Sequence, residues 1–395
     1  MFRFTNTKIQ NICLLAAGFL VAVVLAEVFI RAVLPDPVVK DPVLGFKHRS
    51  GFGWDANGFK NSKALDKAEI VAIGDSQTEG NNASIEDSWP QVLGRLSNKI
   101  VYQMALGGYS PVQYSYLFDK ALQMNPKIII VGFYAGNNLL EAQNIVYSND
   151  SWADLRSKGF VEPTLDKQSS DTRLIFQSGL SADSFGLKLL KFRNWLRSKS
   201  KLYTFLGQST RALREKLNLA ETKEERIERI KKWAAENPDV AVFYSKEGIE
   251  TLLSPAYRLD AVDLEGNVLA REGWRITKMV FEMMNKKAQE QNVKLVLVFI
   301  PTKELVYDSM PDLLVLGEKA KNYLDSYAAK ELNLRQEFLD FCKRSRIACF
   351  DATGSLVEAL KSGRVIYPHT TDGHPVAEGY KVIAEGIFKF LQDVN

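Results

Sequence analysis

Cysteine and histidine are scarce in this sequence, which has three of each among its 395 residues. Three cysteines are too few for a disulfide scaffold. No histidine lies beside a cysteine cluster, so no zinc-binding spacing exists, and the sequence predicts no metal and no cofactor. Cys13 falls in an apolar segment, which leaves Cys342 and Cys349 as a possible pair. A bridge between them is geometrically possible, but we expect two buried free thiols.

The sequence also lacks an excess of charge of one sign. Its 51 Lys and Arg residues against 47 Asp and Glu residues leave a formal net charge of only +4. A dedicated nucleic-acid-binding protein concentrates a basic excess in a patch or an arm, so we expect no nucleic-acid partner. Internal repeats and low-complexity tracts are absent as well.

A long apolar segment is present near the N-terminus, over residues 12–34. Its length suffices to cross a bilayer, which takes about 20 residues. Glu27 and Arg31 stand four apart with the acid first, the favourable order for a helical ion pair near one interface. A cleaved signal peptide, cut after Ala26, is the alternative. Because apolar helical character continues until Pro35, we favour an uncleaved, single-pass anchor in the inner membrane.

The rest of the chain divides by composition into an α/β core and additions. Five apolar runs rich in β-formers are separated by helical stretches, and their lack of alternation indicates a parallel sheet covered on both faces. The runs are Glu69–Ile73, Lys99–Met104, Lys127–Phe133, Val293–Ile300 and Ile347–Phe350. The fold class is therefore α/β, a five-stranded parallel sheet with helices on both faces in a flavodoxin-like three-layer arrangement.

These patterns predict five parts of the chain. They are a membrane anchor (1–35), an extended lead segment (36–66), the first half of the core (67–146), a mainly helical insertion (147–271) and the second half of the core (272–395). The insertion contains a basic amphipathic stretch, Leu187–Lys199. We expect it to pack on the core with a solvated basic face, the alternative being an anionic membrane surface.

The block Gly74–Gly80 follows the first predicted strand and contains Ser76. In open α/β sheets ligands bind beyond the carboxyl ends of the strands, so a site is expected at this turn. A serine that begins a helix offers both its hydroxyl and its backbone N–H, with the helix dipole behind them. Taken alone, an Asp-Ser turn is equally a helix N-cap.

An alcohol nucleophile needs a base, and histidine is the side chain that titrates near neutral pH. His48 lies in the predicted lead segment, whereas His369 and His374 flank Asp372 in a loop before the last helix. An acid beside a histidine can hold its tautomer and stabilise the imidazolium. We therefore expect His374 to serve as the base for Ser76, oriented by Asp372.

Three further turns follow predicted strands. Gly108 follows the second and Asn137 the third, where a backbone N–H and a side-chain amide could stabilise a developing oxyanion. Lys303 and Glu304 follow the fourth strand. They are candidates for substrate contact, with a solvated loop as the default alternative.

These blocks, in this order, resemble the SGNH hydrolase (GDSL esterase) family. The resemblance implies that Ser76 is the nucleophile, that His374 is its base oriented by Asp372, and that an oxyanion hole consists of the Ser76 and Gly108 N–H groups with the Asn137 amide. Three departures from the family pattern are present, one of them Gln103 in the second block, at a position often held by asparagine. Asn138 replaces a common aspartate, and Asp372 stands two residues before the histidine where many members have it three before. That shorter spacing is similar to alginate-acetylating transferases.

The resemblance implies an acyl-ester hydrolase acting on an O-acylated, and specifically O-acetylated, cell-envelope glycan or a similar ester. An O-acyltransferase with the same residues is the first alternative, because both share an acyl-enzyme. A catalytically silent protein of envelope polysaccharide assembly is the second. The anchored relatives imply a periplasmic catalytic domain, with the envelope polysaccharide machinery as a further partner.

Overall fold

The computed structural model describes residues 6–34, 36–51, 53–161, 185–216, 222–236, 242–246, 248–253, 255–310 and 318–394. The chain divides into two compact units. The first comprises Met1–Pro37 and Ser178–Arg226, and the second comprises Val38–Gln177 and Ile227–Asn395.

The helices and strands of both units are numbered in chain order. The helices are α1 (Asn6–Val33), α2 (Ser76–Glu79), α3 (Trp89–Ser97), α4 (Pro111–Gln123), α5 (Asn138–Ser148), α6 (Phe185–Lys199), α7 (Lys201–Lys216), α8 (Lys223–Glu236), α9 (Pro255–Val262), α10 (Val268–Glu290), α11 (Lys303–Asp308), α12 (Glu318–Ser345), α13 (Thr353–Lys361) and α14 (Ala377–Asp393). The strands are β1 (Val38–Asp41), β2 (Gly45–His48), β3 (Ile70–Gly74), β4 (Val101–Ala105), β5 (Ile128–Tyr134), β6 (Val242–Lys246), β7 (Ile249–Leu253), β8 (Lys294–Ile300) and β9 (Ala348–Asp351).

The central sheet has five parallel strands in the order β4-β3-β5-β8-β9. The predicted α/β class and parallel sheet are confirmed, and each predicted strand is found within two residues of its expected bounds. Chain order reverses at β3, since β4 pairs on one side of it and β5 on the other. In such sheets the crevice at this switch point is where ligands bind.

Both faces of the sheet are covered by helices, as the unalternating strands predict. In β3, Val71 and Ile73 face one apolar layer, which includes residues of α4, α5, α10 and α12. Ile70 and Ala72 face the other layer, which includes residues of α3, α13 and α14. All four of these β3 side chains are at most 1% exposed. A strand buried on both faces has no polar side, which explains the continuous apolar run.

Among the residues that the structure describes, two antiparallel hairpins lie outside the sheet, and neither was predicted. The lead segment is not simply extended, because β1 and β2 pair from Val38–His48 to Asp41–Gly45. In the predicted insertion, β6 pairs with β7. Each of these four strands is short and includes a polar or charged residue, so neither a continuous apolar run nor a clear alternation marks it in the sequence.

The expectation of two buried free thiols at Cys342 and Cys349 is wrong. Cys342, near the end of α12, and Cys349, in β9, form a disulfide with a Cα–Cα distance of 6.2 Å. The turn from α12 into β9 brings the two Cα atoms within the range that a disulfide can span.

The first unit contains α1, α6 and α7. Within the part of the chain that the structure describes, α1 is the one helix long and apolar enough to cross a membrane. Its apolar part is Cys13–Val33, which has a mean hydropathy of 2.7 and is only 6% buried inside the protein.

Candidate active site

Ser76 is the first residue of α2, directly beyond the carboxyl end of β3. Asp75 is the N-cap of this short helix, and its side chain accepts a hydrogen bond from the Gln77 N–H at 2.9 Å. The strand ends on Gly74, where a Cβ atom would collide with the side chain of Thr78. The lack of a side chain at Gly74 therefore lets α2 start immediately and holds Ser76 at the switch point of the sheet.

The structure brings the predicted nucleophile, base and acid together. His374 Nε2 lies 2.7 Å from Ser76 Oγ, and His374 Nδ1 lies 2.6 Å from Asp372 Oδ1. Ser76 is 7% exposed, so its hydroxyl is largely shielded. With Nδ1–H directed to the carboxylate, Nε2 is left as the acceptor that can take a proton from the serine.

Asp372 is fixed by its neighbours as a carboxylate. Burial by itself raises its pKa. The opposing bonds from the His374 ring, the His374 N–H at 3.0 Å and the Asn82 amide at 2.9 Å hold the pKa below the ordinary value. The Asn82 amide also donates to the His374 carbonyl at 3.2 Å. Sequence reasoning missed Asn82, although its place just after the serine block was a usable signal.

The loop after β4 lies beside the serine. A Cβ atom on Gly107 would lie 3.4 Å from Ser76 Cβ. The Gly107 N–H donates to Glu79 Oε2 at 2.7 Å, and Trp54 Nε1 donates to Glu79 Oε1 at 3.2 Å. Gly108 follows with φ +85°, a conformation that glycine adopts without strain. The buried Glu79 carboxylate thus anchors the turn that contains the predicted oxyanion donor.

Asn137 is the N-cap residue of α5, at the end of β5, on the opposite side of β3 from Gly108. Its Oδ1 accepts a hydrogen bond from Asn138 Nδ2 at 3.1 Å. Because the oxygen is occupied in this way, the Asn137 side chain presents its NH₂ to other acceptors. This orientation fits the predicted role as an oxyanion donor.

Lys303 and Glu304 stand at the start of α11 and are completely buried, each 0% exposed. Lys303 Nζ donates to the backbone carbonyls of Pro368 at 3.0 Å, Thr370 at 2.6 Å and Asp372 at 3.4 Å. The default expectation of a solvated loop is therefore wrong for both residues, and substrate contact stays a prediction. Lysine at this place binds the loop that presents the acid and the base.

His369, the other histidine of that loop, has a different partner. Its Nδ1 lies 2.7 Å from the Glu250 carbonyl in β7. The neighbouring Thr251 hydroxyl donates to the Pro368 carbonyl at 2.8 Å. The hairpin of β6 and β7 therefore supports the loop from outside the sheet, and His369 is one of its attachment points.

The lead segment also reaches the site, which was not predicted from the sequence. The Phe46 ring lies 3.5 Å from where a Cβ atom of Gly108 would be, and the Tyr109 hydroxyl donates to the Phe46 carbonyl at 2.6 Å. His48 stacks on Trp54 with ring centroids 3.9 Å apart. These aromatic side chains form a wall beside the predicted oxyanion loop.

No group of three or more His, Cys, Asp or Glu side chains among the described residues is placed to hold a metal ion. The polar groups linked to Ser76 Oγ are instead the His374 ring and, through it, the Asp372 carboxylate. Such an arrangement can activate an alcohol for nucleophilic attack.

No family model matches the sequence, and no curated protein matches it. Solved structures similar to the chain include a phospholipase A1 from Streptomyces albidoflavus NA297 (10% identity, TM-score 0.37, 83% of this chain and 99% of that one). An extracellular lipase from Streptomyces rimosus is similar at 12% identity and a TM-score of 0.35, over 82% of this chain and 99% of the other. A GDSL-like lipase from Bacteroides thetaiotaomicron VPI-5482 is similar at 10% identity and a TM-score of 0.30, over 82% and 88%. Likenesses this distant say nothing about what this chain acts on.

Several features of the site occur together in this chain. They are the serine at the end of β3, the Gly and Asn turns on either side of it and the Asp372–His374 loop. The same residues, in the same order, carry the resemblance to SGNH hydrolases of the GDSL type.

Proposed function

We propose that this protein is a serine-dependent acyl-ester hydrolase. The observation that carries the proposal is the unbroken hydrogen-bonded chain from Ser76 Oγ through the His374 ring to Asp372. A histidine held between a serine hydroxyl and a carboxylate is the arrangement that activates a serine for attack on an ester carbonyl.

The reaction follows from these contacts. His374 Nε2 takes the proton of Ser76 as Oγ attacks the ester carbonyl, and Asp372 stabilises the resulting imidazolium. The oxyanion is met by the N–H groups of Ser76 and Gly108 and by the Asn137 amide. His374 then gives its proton to the leaving alcohol. Departure of the alcohol leaves the acyl group bound to Ser76 Oγ. Water then attacks the acyl carbonyl while His374 takes its proton, and His374 returns that proton to Ser76 Oγ as the carboxylic acid leaves.

The proposed substrate is an O-acetylated glycan of the cell envelope, and the proposed location is the inner membrane with the catalytic part on the periplasmic side. Two observations support this location. Helix α1 continues without a break through Ala26, the last residue before the alternative cleavage site. The disulfide Cys342–Cys349 fits an oxidising compartment. An enzyme anchored there would work beside the envelope polysaccharide machinery.

The proposal is tested with the full chain in detergent micelles by fluorophosphonate labelling and by hydrolysis of a short-chain aryl acetate. Ser76→Ala should abolish labelling and turnover without changing the thermal unfolding temperature. Ser84→Ala is the matched control, because Ser84 is exposed and its hydroxyl donates to the Asp87 carboxylate at 2.8 Å. Equal labelling of wild type and Ser76→Ala would refute the proposal.

The competing functions are separated by the same samples. An O-acyltransferase would move the acetyl group from the aryl ester to an added oligosaccharide faster than to water. A catalytically silent assembly protein would show no labelling in a folded sample. The shared acyl-enzyme makes the acceptor experiment, rather than the labelling, the one that distinguishes hydrolase from transferase.

A further inference from the structure

Helix α6 exposes a stripe of large apolar side chains. Phe185 is 79% exposed, Leu189 46%, Phe192 53% and Trp195 55%, whereas Leu187 on the opposite side is 1% exposed. Spacings of three and four residues place the exposed members along one side of the helix. A surface helix of a soluble domain normally turns such a stripe inwards, so this face is built to meet an apolar environment.

Cationic side chains accompany this stripe, and no acidic residue occurs between Phe185 and Lys199. The exposed cations of α6 are Lys188, Arg193, Arg197 and Lys199. Aromatic and aliphatic side chains combined with Lys and Arg alone are the composition of helices that bind anionic lipid surfaces. A protein partner with an apolar groove would not by itself require a cationic border without any acid.

The junction between α6 and α7 is attached to α1. Glu27 of α1 accepts hydrogen bonds from the Lys201 N–H at 3.0 Å, the Leu202 N–H at 2.9 Å and the Ser200 hydroxyl at 2.7 Å. Its carboxylate thus satisfies the first N–H groups of α7, which otherwise have no partner in the helix. Arg31 bonds to Glu27 at 2.7 Å and donates to the Lys199 carbonyl at 2.6 Å.

This attachment fixes the level at which α6 ends. Glu27 lies six residues before Val33, the last residue of the apolar part of α1. At a rise of about 1.5 Å per residue the junction is roughly 9 Å inside the end of that helix. Interfacial helices bury their apolar side roughly 5–10 Å below the headgroups, so the depth matches.

We propose that α6 binds the anionic phospholipid surface of the membrane that α1 enters, with its Phe185–Trp195 stripe among the acyl chains and its cations at the phosphates. The inference rests on the proposed insertion of α1 and is independent of the proposed esterase chemistry. It reverses the preference drawn from the sequence, which was for a helix packed on the core with a solvated basic face.

The test uses the full chain in nanodiscs of phosphatidylcholine with phosphatidylglycerol. In a Cys13→Ser background, nitroxide labels are placed by Leu189→Cys and Phe192→Cys on the stripe. Leu20→Cys serves as the reference within α1, and Lys286→Cys as the aqueous reference on α10. Accessibility to molecular oxygen and to a water-soluble nickel chelate is measured for each label by electron paramagnetic resonance.

We expect the stripe labels to be shielded from the nickel chelate and open to oxygen, approaching the behaviour of the Leu20 label. Stripe labels as open to nickel as the Lys286 label, with Leu20 shielded, would overturn this inference alone. A Leu20 label open to nickel would overturn the membrane anchor and the inference with it. Neither result bears on the esterase assay, so the two failures are distinguishable.

The charge requirement is tested separately on the Phe192 label. Arg193→Gln with Arg197→Gln should lose the extra shielding that phosphatidylglycerol gives over phosphatidylcholine alone. The control pair Lys286→Gln with Lys361→Gln removes the same number of charges from exposed positions elsewhere. It should retain the extra shielding. Equal loss in both pairs, or no effect of the anionic lipid in the unsubstituted chain, would contradict the role of the cations.

Discussion

The side-chain amide of Asn138 donates a hydrogen bond of 3.0 Å to the carboxylate of Asp75, and both residues are 0% exposed. The oxygen of the same amide accepts from the Tyr134 N–H at 2.9 Å and from the Tyr114 hydroxyl at 3.3 Å. Asn138 therefore cannot turn its amide over without losing these bonds. Burial raises the pKa of Asp75 to about 6, against the opposing bonds from Gln77 and Asn138. The asparagine that departs from the family pattern thus supports the buried acid beside the nucleophile.

The hydrogen bond between Asn138 and Asp75 predicts that exchanging the two residues has a non-additive effect on the free energy of unfolding. Asn138→Asp would set two carboxyl groups against each other, and Asp75→Asn would set two NH₂ groups against each other. Each single change should lower the free energy of unfolding by about 1–3 kcal/mol, the cost of a buried polar group without a partner. In the double variant a carboxylate at 138 can again accept from an amide at 75. Urea unfolding of the four proteins should therefore show recovery in the double variant, whereas additive losses would contradict the pairing.

Asn137 is predicted to act on the transition state. Because Asn138 occupies its oxygen, its NH₂ is the group available to the oxyanion. Asn137→Ala should lower kcat by about 10²–10³-fold with little change in KM. Steady-state kinetics on an aryl acetate measure both constants. A raised KM with unchanged kcat would show that Asn137 contributes to ground-state binding instead.

The two loop histidines should respond differently to substitution. His374 contacts Ser76, while His369 bonds to the Glu250 carbonyl. We expect His374→Ala to abolish turnover at an unchanged unfolding temperature. His369→Ala should retain most of the turnover and lower the unfolding temperature, because a hairpin attachment is lost. The opposite pattern of activities would assign the base to His369.

Lys303 is predicted to be a positioning residue. Its ammonium group binds three carbonyls of the loop that presents Asp372 and His374. Lys303→Met keeps the length of the side chain but leaves those carbonyls without their donor, so the loop should loosen. A displacement of about 1 Å can cost about 10²-fold in rate, and we expect the loss in kcat rather than in KM.

A structural role alone is separated from this one by hydrogen exchange. In Lys303→Met, exchange of backbone amides over residues 369–374 should accelerate while that of β3 and β5 stays at the wild-type rate. Lys303→Arg, which restores a cation with several donors, should recover part of kcat. Uniformly faster exchange across the sheet would show a general loss of stability and would contradict the local role.

The sheet was predictable because its strands are buried on both faces, which leaves an apolar run such as Ile70–Ile73 legible without any alignment. Ser76, Asp372 and His374 were predictable because the turns at the carboxyl ends of the parallel strands and the loop before the last helix meet at one edge of the sheet. The contacts of Trp54 with Glu79 and of Lys303 with the histidine loop were not. They depend on how the segment after the β1–β2 hairpin and a buried lysine pack, and neither leaves a periodic pattern in the sequence.

Glu331 of α12 is another buried acid, and it lies beside Thr302, the residue before Lys303. Its carboxyl group accepts from the Thr302 N–H at 2.8 Å and from the Thr302 hydroxyl, which in turn accepts from the Tyr327 hydroxyl at 2.9 Å. Burial raises the pKa of Glu331 from 4.5 to about 7, despite the bonds from Thr302. In the folded protein this group therefore keeps its proton at pH values where the unfolded chain has released it.

This difference predicts how stability varies with pH. Where the folded state binds the extra proton, the free energy of unfolding falls as pH rises. The loss should begin near 4.5, the ordinary pKa of the unfolded chain, and be complete above about 7, the folded value. It should reach about 1–3 kcal/mol. The free energy of unfolding should be measured with urea between roughly pH 5 and pH 8, the range in which the proton is lost. In Glu331→Gln it should fall less steeply with rising pH than in the wild type. Glu337→Gln, a change on a less buried face of the same helix, should keep the wild-type slope. Parallel slopes in wild type and Glu331→Gln would show that Glu331 does not hold its proton in the folded state.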